Sequence, residues 1–371
     1  MKRRRTNSAF ISEIVAATRR CGDAFAGHAL RFIAVLAFAA AITADCAKRT
    51  APVPRPSFSA VRPSPIPTPE RSALNGTVIS RNSGQHRVVA VMIDNYPTSA
   101  RPQSGLTDAD IVYEVEAEGG ITRYMALFLE KTPRRIGPVR SARTYFVDLA
   151  RPYDPLFAHA GENNDVWEPL KELRASGFAD MDEIVGTPEA FWRDPSREMP
   201  HNLYTSVARL RSTARKYGWH DRPFGHRHFV FSSKSNSRRT APDVILTFWN
   251  GYTVAFRANA GAYKRIINGQ VQHDLENPTP YRVADIIAVW IPAKVLDDLG
   301  DLSMPVYGEF PAVLVSGGAA TAARWVALGP NELPRLTDAK GASLALSPGQ
   351  IYVEVLPQGG TLRNGKNIWS H

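Results

Sequence analysis

Beyond residue 46 the sequence contains no cysteine: among 371 residues only Cys21 and Cys46 carry a thiol. The body of the chain can therefore hold neither a disulfide nor a cysteine-ligated zinc. A P-loop, a dinucleotide fingerprint and an HExxH are all missing, which removes the nucleotide-binding and zinc-peptidase classes that carry those signatures. Ser104 and Ser141 lack a Gly-x-Ser-x-Gly setting, so the serine-hydrolase elbow is absent as well. A basic surface is also missing, although the formal net charge is +10, from 45 Lys plus Arg against 35 Asp plus Glu. Residues 1–72 hold 12 of those basic and 4 of those acidic side chains, leaving 33 against 31 for the rest. A nearly neutral body argues against a nucleic acid partner, because duplex binding needs a basic excess on the folded surface. At 44% hydrophobic and 9% aromatic the chain can bury a core of ordinary size.

What residues 1–46 do contain is an export pattern. Lys2, Arg3, Arg4, Arg5, Arg19, Arg20 and Arg31 precede an uncharged run of thirteen residues, 32–44. Such a run falls short of the roughly 20 apolar residues that a spanning helix needs. It ends in Thr43-Ala44-Asp45-Cys46, which resembles the bacterial lipobox and makes Cys46 the expected lipidation site. Asp45 departs from the small residue expected there, and cleavage near Ala39-Ala40-Ala41 or an uncleaved anchor are the alternatives. Arg19-Arg20 is followed by Cys21-Gly22 rather than an apolar pair, against a twin-arginine signal. Residues 47–71 form a linker with Pro52, Pro54, Pro56, Pro63, Pro65, Pro67 and Pro69, a density that favours extended, semi-rigid geometry. The expected location is the cell envelope, outside the cytoplasm and anchored to the membrane.

Two domains are expected after the linker, 72–231 and 240–357, parted by the polar stretch 232–242. In the first, Val88 to Ile93 is an apolar, β-branched strand ending at the polar pair Asp94-Asn95. Residues 111–118 and 121–130 flank Gly119-Gly120 and read as a hairpin. With those glycines as a two-residue turn, Glu116 opposes Arg123 and Glu114 opposes Met125, which places Tyr113, Tyr124 and Phe128 on one face and the charged residues on the other. Helices are expected from a Ser141 cap through Leu149, from about Asn164 with Val166, Trp167, Leu170 and Leu173, and over 206–217 with Thr205 as cap and Gly218 as stop. From Asp243 on, short strands dominate, and Asn268-Gly269 marks a second hairpin.

Several of these segments resemble a known family. VMIDNYPTSARPQSGLTDADIVYE (91–114), EGGITRY (118–124), IGPVRSARTYFVDLA (136–150), HAG (159–161) and PHNLYTS (200–206) are similar to the YerB-like bacterial lipoproteins. That family is built on a domain of unknown function with a second, C-terminal conserved region. Tyr263-Lys264-Arg265, Asn268-Gly269, His273-Asp274 and residues 346–357 match the second region more loosely. Tyr96, Thr144 and Glu162-Asn163 depart from the family pattern at the edge of the expected cleft. The resemblance implies an α/β (α+β) fold, a three-layer β-β-α sandwich-like body with a mixed N-terminal half and a mostly antiparallel C-terminal half. It implies no activity, because the family has none assigned.

The motif residues are rich in guanidinium and carboxylate groups and poor in nucleophiles. Arg101, Arg123, Arg140 and Arg143 form a candidate cluster for gripping a phosphate or carboxylate bidentately. Asp94, Glu114 and Glu118 could hold a divalent, Mg²⁺-like cation against that anion, or supply a general base. Asn95, Ser141, His159, His201 and Asn202 complete the candidate ligand-binding set. An equally plain reading pairs these charges only with each other, to pin loops together. His226 and His228 sit at i and i+2 on an expected strand, with no third metal ligand in view. Three functions fit this pattern. The first is an envelope protein binding an anionic small molecule or glycan; the others are an envelope enzyme acting on phosphorylated glycans or lipid-linked sugars, and a protein-interaction scaffold.

Overall fold

A computed structural model describes residues 70–79, 86–225, 229–232, 242–248 and 251–371. The export segment, Cys46, the linker through residue 69 and the pair His226 and His228 lie outside the described residues. Those described fall in one compact unit, and none of their helices is long and apolar enough to cross a membrane.

The N-terminal half contributes β1 (Val89–Asp94), β2 (Ile111–Glu116), β3 (Thr122–Phe128), β4 (Leu156–His159) and β5 (Asp180–Asp182). Its helices are α1 (Thr144–Ala150), α2 (Asn164–Ala175) and α3 (Val207–Lys216). The C-terminal half supplies β6 (Val244–Thr247), β7 (Thr253–Asn259), β8 (Ala262–Ile267), β9 (Val283–Trp290), β10 (Gly308–Ser316), β11 (Ala319–Ala327), β12 (Gln350–Leu356), β13 (Thr361–Asn364) and β14 (Asn367–Ser370). Three helices among many strands in one mixed sheet make this an α/β-type body. The C-terminal half is mostly antiparallel, as expected, through β6–β7–β8 and β9–β10–β11. Its β12 is the exception, running parallel to both β9 and β2. Every residue of β2 and β12 is buried, as befits parallel strands covered on both faces.

The sheet thus carries a core on each side. Met92, Tyr113, Met125 and Phe157 pack with α1 and α2, whereas Val91, Tyr124, Phe256 and Tyr352 pack with α3. On α2, Val166 and Leu170 are buried but Trp167 is 40% exposed, with the Arg174 guanidinium 5.6 Å from its ring centre. The Asn268-Gly269 hairpin forms as expected, with both residues at positive φ and Ile267 paired to Gln270.

The first hairpin differs from expectation by one residue. Its turn holds three residues, Glu118-Gly119-Gly120, with both glycines at φ 69° and the Ala117 N–H donating to the Ile121 carbonyl at 2.7 Å. Glu116 therefore opposes Thr122, Glu114 opposes Tyr124, and Arg123 opposes Val115. A slip of one residue carries a whole strand's alternation to the other face. Arg123, Met125 and Leu127 lie beside Tyr113, while Tyr124, Ala126 and Phe128 lie beside Glu114, and no Glu116–Arg123 pair forms. Two caps are also corrected. Helix α1 starts after Arg143 rather than at Ser141, and α3 is capped by Ser206, whose side chain accepts from the Arg209 N–H at 3.2 Å. Thr205 instead donates its hydroxyl to the buried Ala190 carbonyl at 2.7 Å, so it is not free to turn toward the helix.

Candidate functional site

Strand β1 ends in two polar residues, and successive residues of a strand point to opposite faces. Asp94 is paired with Arg123 across the ladder, on the face of α1. Asn95, the next residue, joins Glu114 on the other face, where its amide donates to Glu114 Oε1 at 3.1 Å. The candidate residues consequently sort into two clusters rather than one cleft.

On the α1 face, Asp94 Oδ2 meets Nδ1 of His201 at 2.6 Å and Nε of Arg140 at 3.3 Å. Its other oxygen accepts from the Tyr96 N–H at 3.0 Å, and the Tyr96 ring lies against His201 with centroids 5.1 Å apart. Glu118 binds the Arg143 guanidinium and lies 3.6 Å from Arg123 Nη2. Burial alone would push the Glu118 carboxyl up, but the Arg143 hydrogen bond and the two cationic charges hold it below its ordinary value. Burial, then the charge of Arg143, brings the Arg123 guanidinium down to about 10. Arg123 also donates to the Ser141 carbonyl at 2.7 Å, so Ser141 takes part through its backbone. Arg140 is one-third exposed, and its Nη groups donate no hydrogen bond within the described residues. Three guanidinium groups here face two carboxylates, leaving an excess of positive charge.

On the opposite face, Glu114 is fully buried and accepts from Thr122 Oγ1 at 2.5 Å, Tyr252 OH at 2.9 Å and Arg265. Arg265 is 1% exposed and its Nε lies 3.7 Å from Glu354, which the parallel register of β2 and β12 sets beside Glu114. Burial would raise the Glu114 carboxyl, yet the Arg265 charge brings it below normal. Burial and the adjacent Glu114 charge instead push Glu354 well above normal, so it keeps its proton. Sequence reasoning missed Glu354 and Tyr252 and quoted Arg265 only within a motif. The available signal was charge inside an otherwise apolar strand, one carboxyl in QIYVEVL and the adjacent Lys264 and Arg265 in AYKRII. Arg101 donates to Asn95 Oδ1 at 2.8 Å and reaches Tyr252 OH at 3.5 Å. It lines a groove of about 280 Å³ with Asn95, Thr122, Tyr252 and Asn268. An adjoining space of about 430 Å³, with Asn268, Gln270, Gln272 and His273, shares Pro97 and Arg101 with that groove.

The three carboxylates expected to hold a cation do not converge, since Glu114 answers Arg265, Glu118 answers Arg143, and Asp94 answers Arg140 and His201. Among the described residues, His159, Glu162 and Asp182 have ligand atoms within 4.8 Å of one another. His159 does not fit a metal, because Nε2 meets Asp180 at 2.7 Å and Nδ1 meets the Gly161 carbonyl at 3.0 Å. Both partners only accept, so both ring nitrogens carry protons. Burial disfavours this imidazolium, but the Asp180 charge outweighs burial and raises its pKa. With Arg174 also on Asp180 at 2.6 Å, the group ties β4 and β5 to α2. Asn202 likewise serves its own loop, donating to the Asp194 and Arg197 carbonyls at 3.3 and 3.2 Å.

Comparison with known proteins adds the family context. Residues 74–220 match the model described as "Protein of unknown function (DUF3048) N-terminal domain", and residues 244–353 match its C-terminal domain. A protein of Bacillus subtilis (strain 168) named as a candidate lipoprotein, YerB, is 30% identical over 294 residues, 77% of this chain and 86% of that protein. A crystal structure of the YerB protein from Bacillus subtilis superimposes with a TM-score of 0.71 at 28% identity, covering 79% of this chain and 99% of the other.

Proposed function

The chain belongs to the YerB-like DUF3048 family, and from that premise we propose that it is an exported cell-envelope protein, lipid-anchored at Cys46, that binds an anionic ligand at the carboxyl end of β1. The export pattern of residues 1–46 and the name of the Bacillus relative support the anchor. One observation carries the ligand reading: Arg140 projects unsatisfied Nη groups beside Arg123 and Arg143, where cations outnumber carboxylates. A guanidinium fork matches the oxygens of phosphate or carboxylate. The ligand this face favours is therefore a phosphate or carboxylate group; the amide-lined space formed by Asn268, Gln270 and Gln272 adjoins Arg101 in the other cluster.

Thermal unfolding of the full chain in detergent, with inorganic phosphate, pyrophosphate and phosphorylated sugars, tests this reading. A bound anion raises the melting temperature of the wild type by mass action and leaves Arg140→Ala unshifted. Arg140 is one-third exposed and Asp94 keeps its His201 and Tyr96 N–H partners without it, so its loss alone costs about 1 kcal/mol. A large loss of stability in Arg140→Ala, with no shift in the wild type, means that the arginines only hold loops and that a protein partner should be sought instead.

A further inference from the structure

We propose that His201 is a general base, aimed by Asp94, and that the site hydrolyses a phosphate ester held by Arg140. This deepens the anion-binding reading and rests on it. Asp94 accepts at 2.6 Å from Nδ1 of His201, which fixes the proton on Nδ1 and leaves the lone pair of the neutral ring on Nε2. Asp94 is itself held on both oxygens, by the Tyr96 N–H at 3.0 Å and by Arg140 at 3.3 Å, and is 5% exposed. Nε2 makes no hydrogen bond within the described residues, and it is not among their buried unsatisfied atoms. The imidazole is therefore gripped at one nitrogen and open to solvent at the other, the orientation that a carboxylate gives a catalytic histidine. A histidine serving only as a pin would show both nitrogens engaged, as His159 does.

Arg140 stands on the same carboxylate with free Nη groups, so a phosphoryl oxygen bound there lies beside the imidazole. No serine or cysteine is hydrogen-bonded to His201 among the described residues, which makes water the nucleophile. In the step, Nε2 takes a proton from water as the water oxygen bonds to phosphorus. The bond from phosphorus to the leaving alcohol oxygen breaks on the opposite side, that oxygen takes a proton from solvent water, and the imidazolium then releases its proton to solvent. No oxidant, reductant or further reactant is required. Positioning and charge stabilisation dominate phosphoryl transfer, and the guanidinium supplies both.

The test uses full-length protein in detergent with bis(p-nitrophenyl) phosphate and p-nitrophenyl phosphate as probes and inorganic phosphate as a binding control. His201→Asn keeps a donor toward Asp94 but removes the base. It should lower kcat by about 10²-fold or more while the phosphate-induced melting shift and the melting temperature without phosphate stay as in wild type. Asp94 is a positioning residue, and Asp94→Asn, which favours the wrong tautomer, should displace the pH profile of the remaining turnover as well as lower it. A phosphate shift without turnover of either probe, or turnover unchanged in His201→Asn, overturns the catalytic role and leaves anion binding standing. No phosphate shift and no turnover in the wild type overturns both.

Discussion

Glu114, Glu354 and Arg265 form a buried set of two carboxyls around one guanidinium, all at most 1% exposed. Only one negative charge is balanced, which is why Glu114 is ionised and Glu354 is not. The two positions should respond oppositely to the same change. Glu114→Gln removes the carboxylate that Arg265 binds and leaves only Glu354, 3.7 Å from its Nε, to take up the negative charge, so it should be the costlier change, up to about 3 kcal/mol. Glu354→Gln replaces a group that is already neutral. Because the folded-state pKa of Glu354 is raised, its contribution to stability is complete below the unfolded-state pKa of about 4.3 and is lost as pH rises toward the folded value. Urea unfolding at pH 5 and pH 8 should therefore find Glu354→Gln close to wild type at the lower pH and relatively more stable at the higher. A variant clearly less stable than wild type at both pH values would place the charge on Glu354 instead.

Helices and turns here are decided by which backbone groups need partners. Helix α3 begins with an unpaired Arg209 N–H that only the Ser206 hydroxyl satisfies. Ser206→Ala should accordingly lower stability by about 1 kcal/mol, with no change at the α1 face because Ser206 contacts none of its charges. Calorimetry of the variant checks both the size and the absence of any effect on phosphate binding. Serine and threonine stand side by side at 205 and 206, and local sequence ranks them as nearly equal caps. The choice is made by Ala190, a carbonyl 15 residues away that already holds Thr205. The first hairpin makes the same point, since Gly119-Gly120 marks the turn but not whether Glu118 is inside it. That one residue decides whether Arg123 faces Glu116 or the Arg140 cluster.

At the scale of the molecule, β12 joins the halves, because the strand from residues 350–356 lies between β2 and β9 and hydrogen-bonds to both. Residues 70–232 alone would present β2 as a long apolar edge, a template for aggregation. They should fail to unfold cooperatively, and co-expression with 242–371 should restore a single transition in circular dichroism; an independently cooperative N-terminal piece would show that the shared sheet is dispensable. The strand and helix segments, the glycine turns, the family and the concentration of arginine and carboxylate at the end of β1 were legible from sequence, because periodicity and turn chemistry are local properties. The pairing of those charges was not. Asp94 meets a histidine 107 residues away and Glu114 an arginine 151 residues away. Alternation of faces along β1 sends Asp94 and Asn95 into different clusters that a linear reading merged. The sequence determines which chemical groups the strand ends carry; only the tertiary structure decides which are neutralised and which, like the outer ends of Arg140 and His201, stay open, because that depends on partners brought together across the sheet.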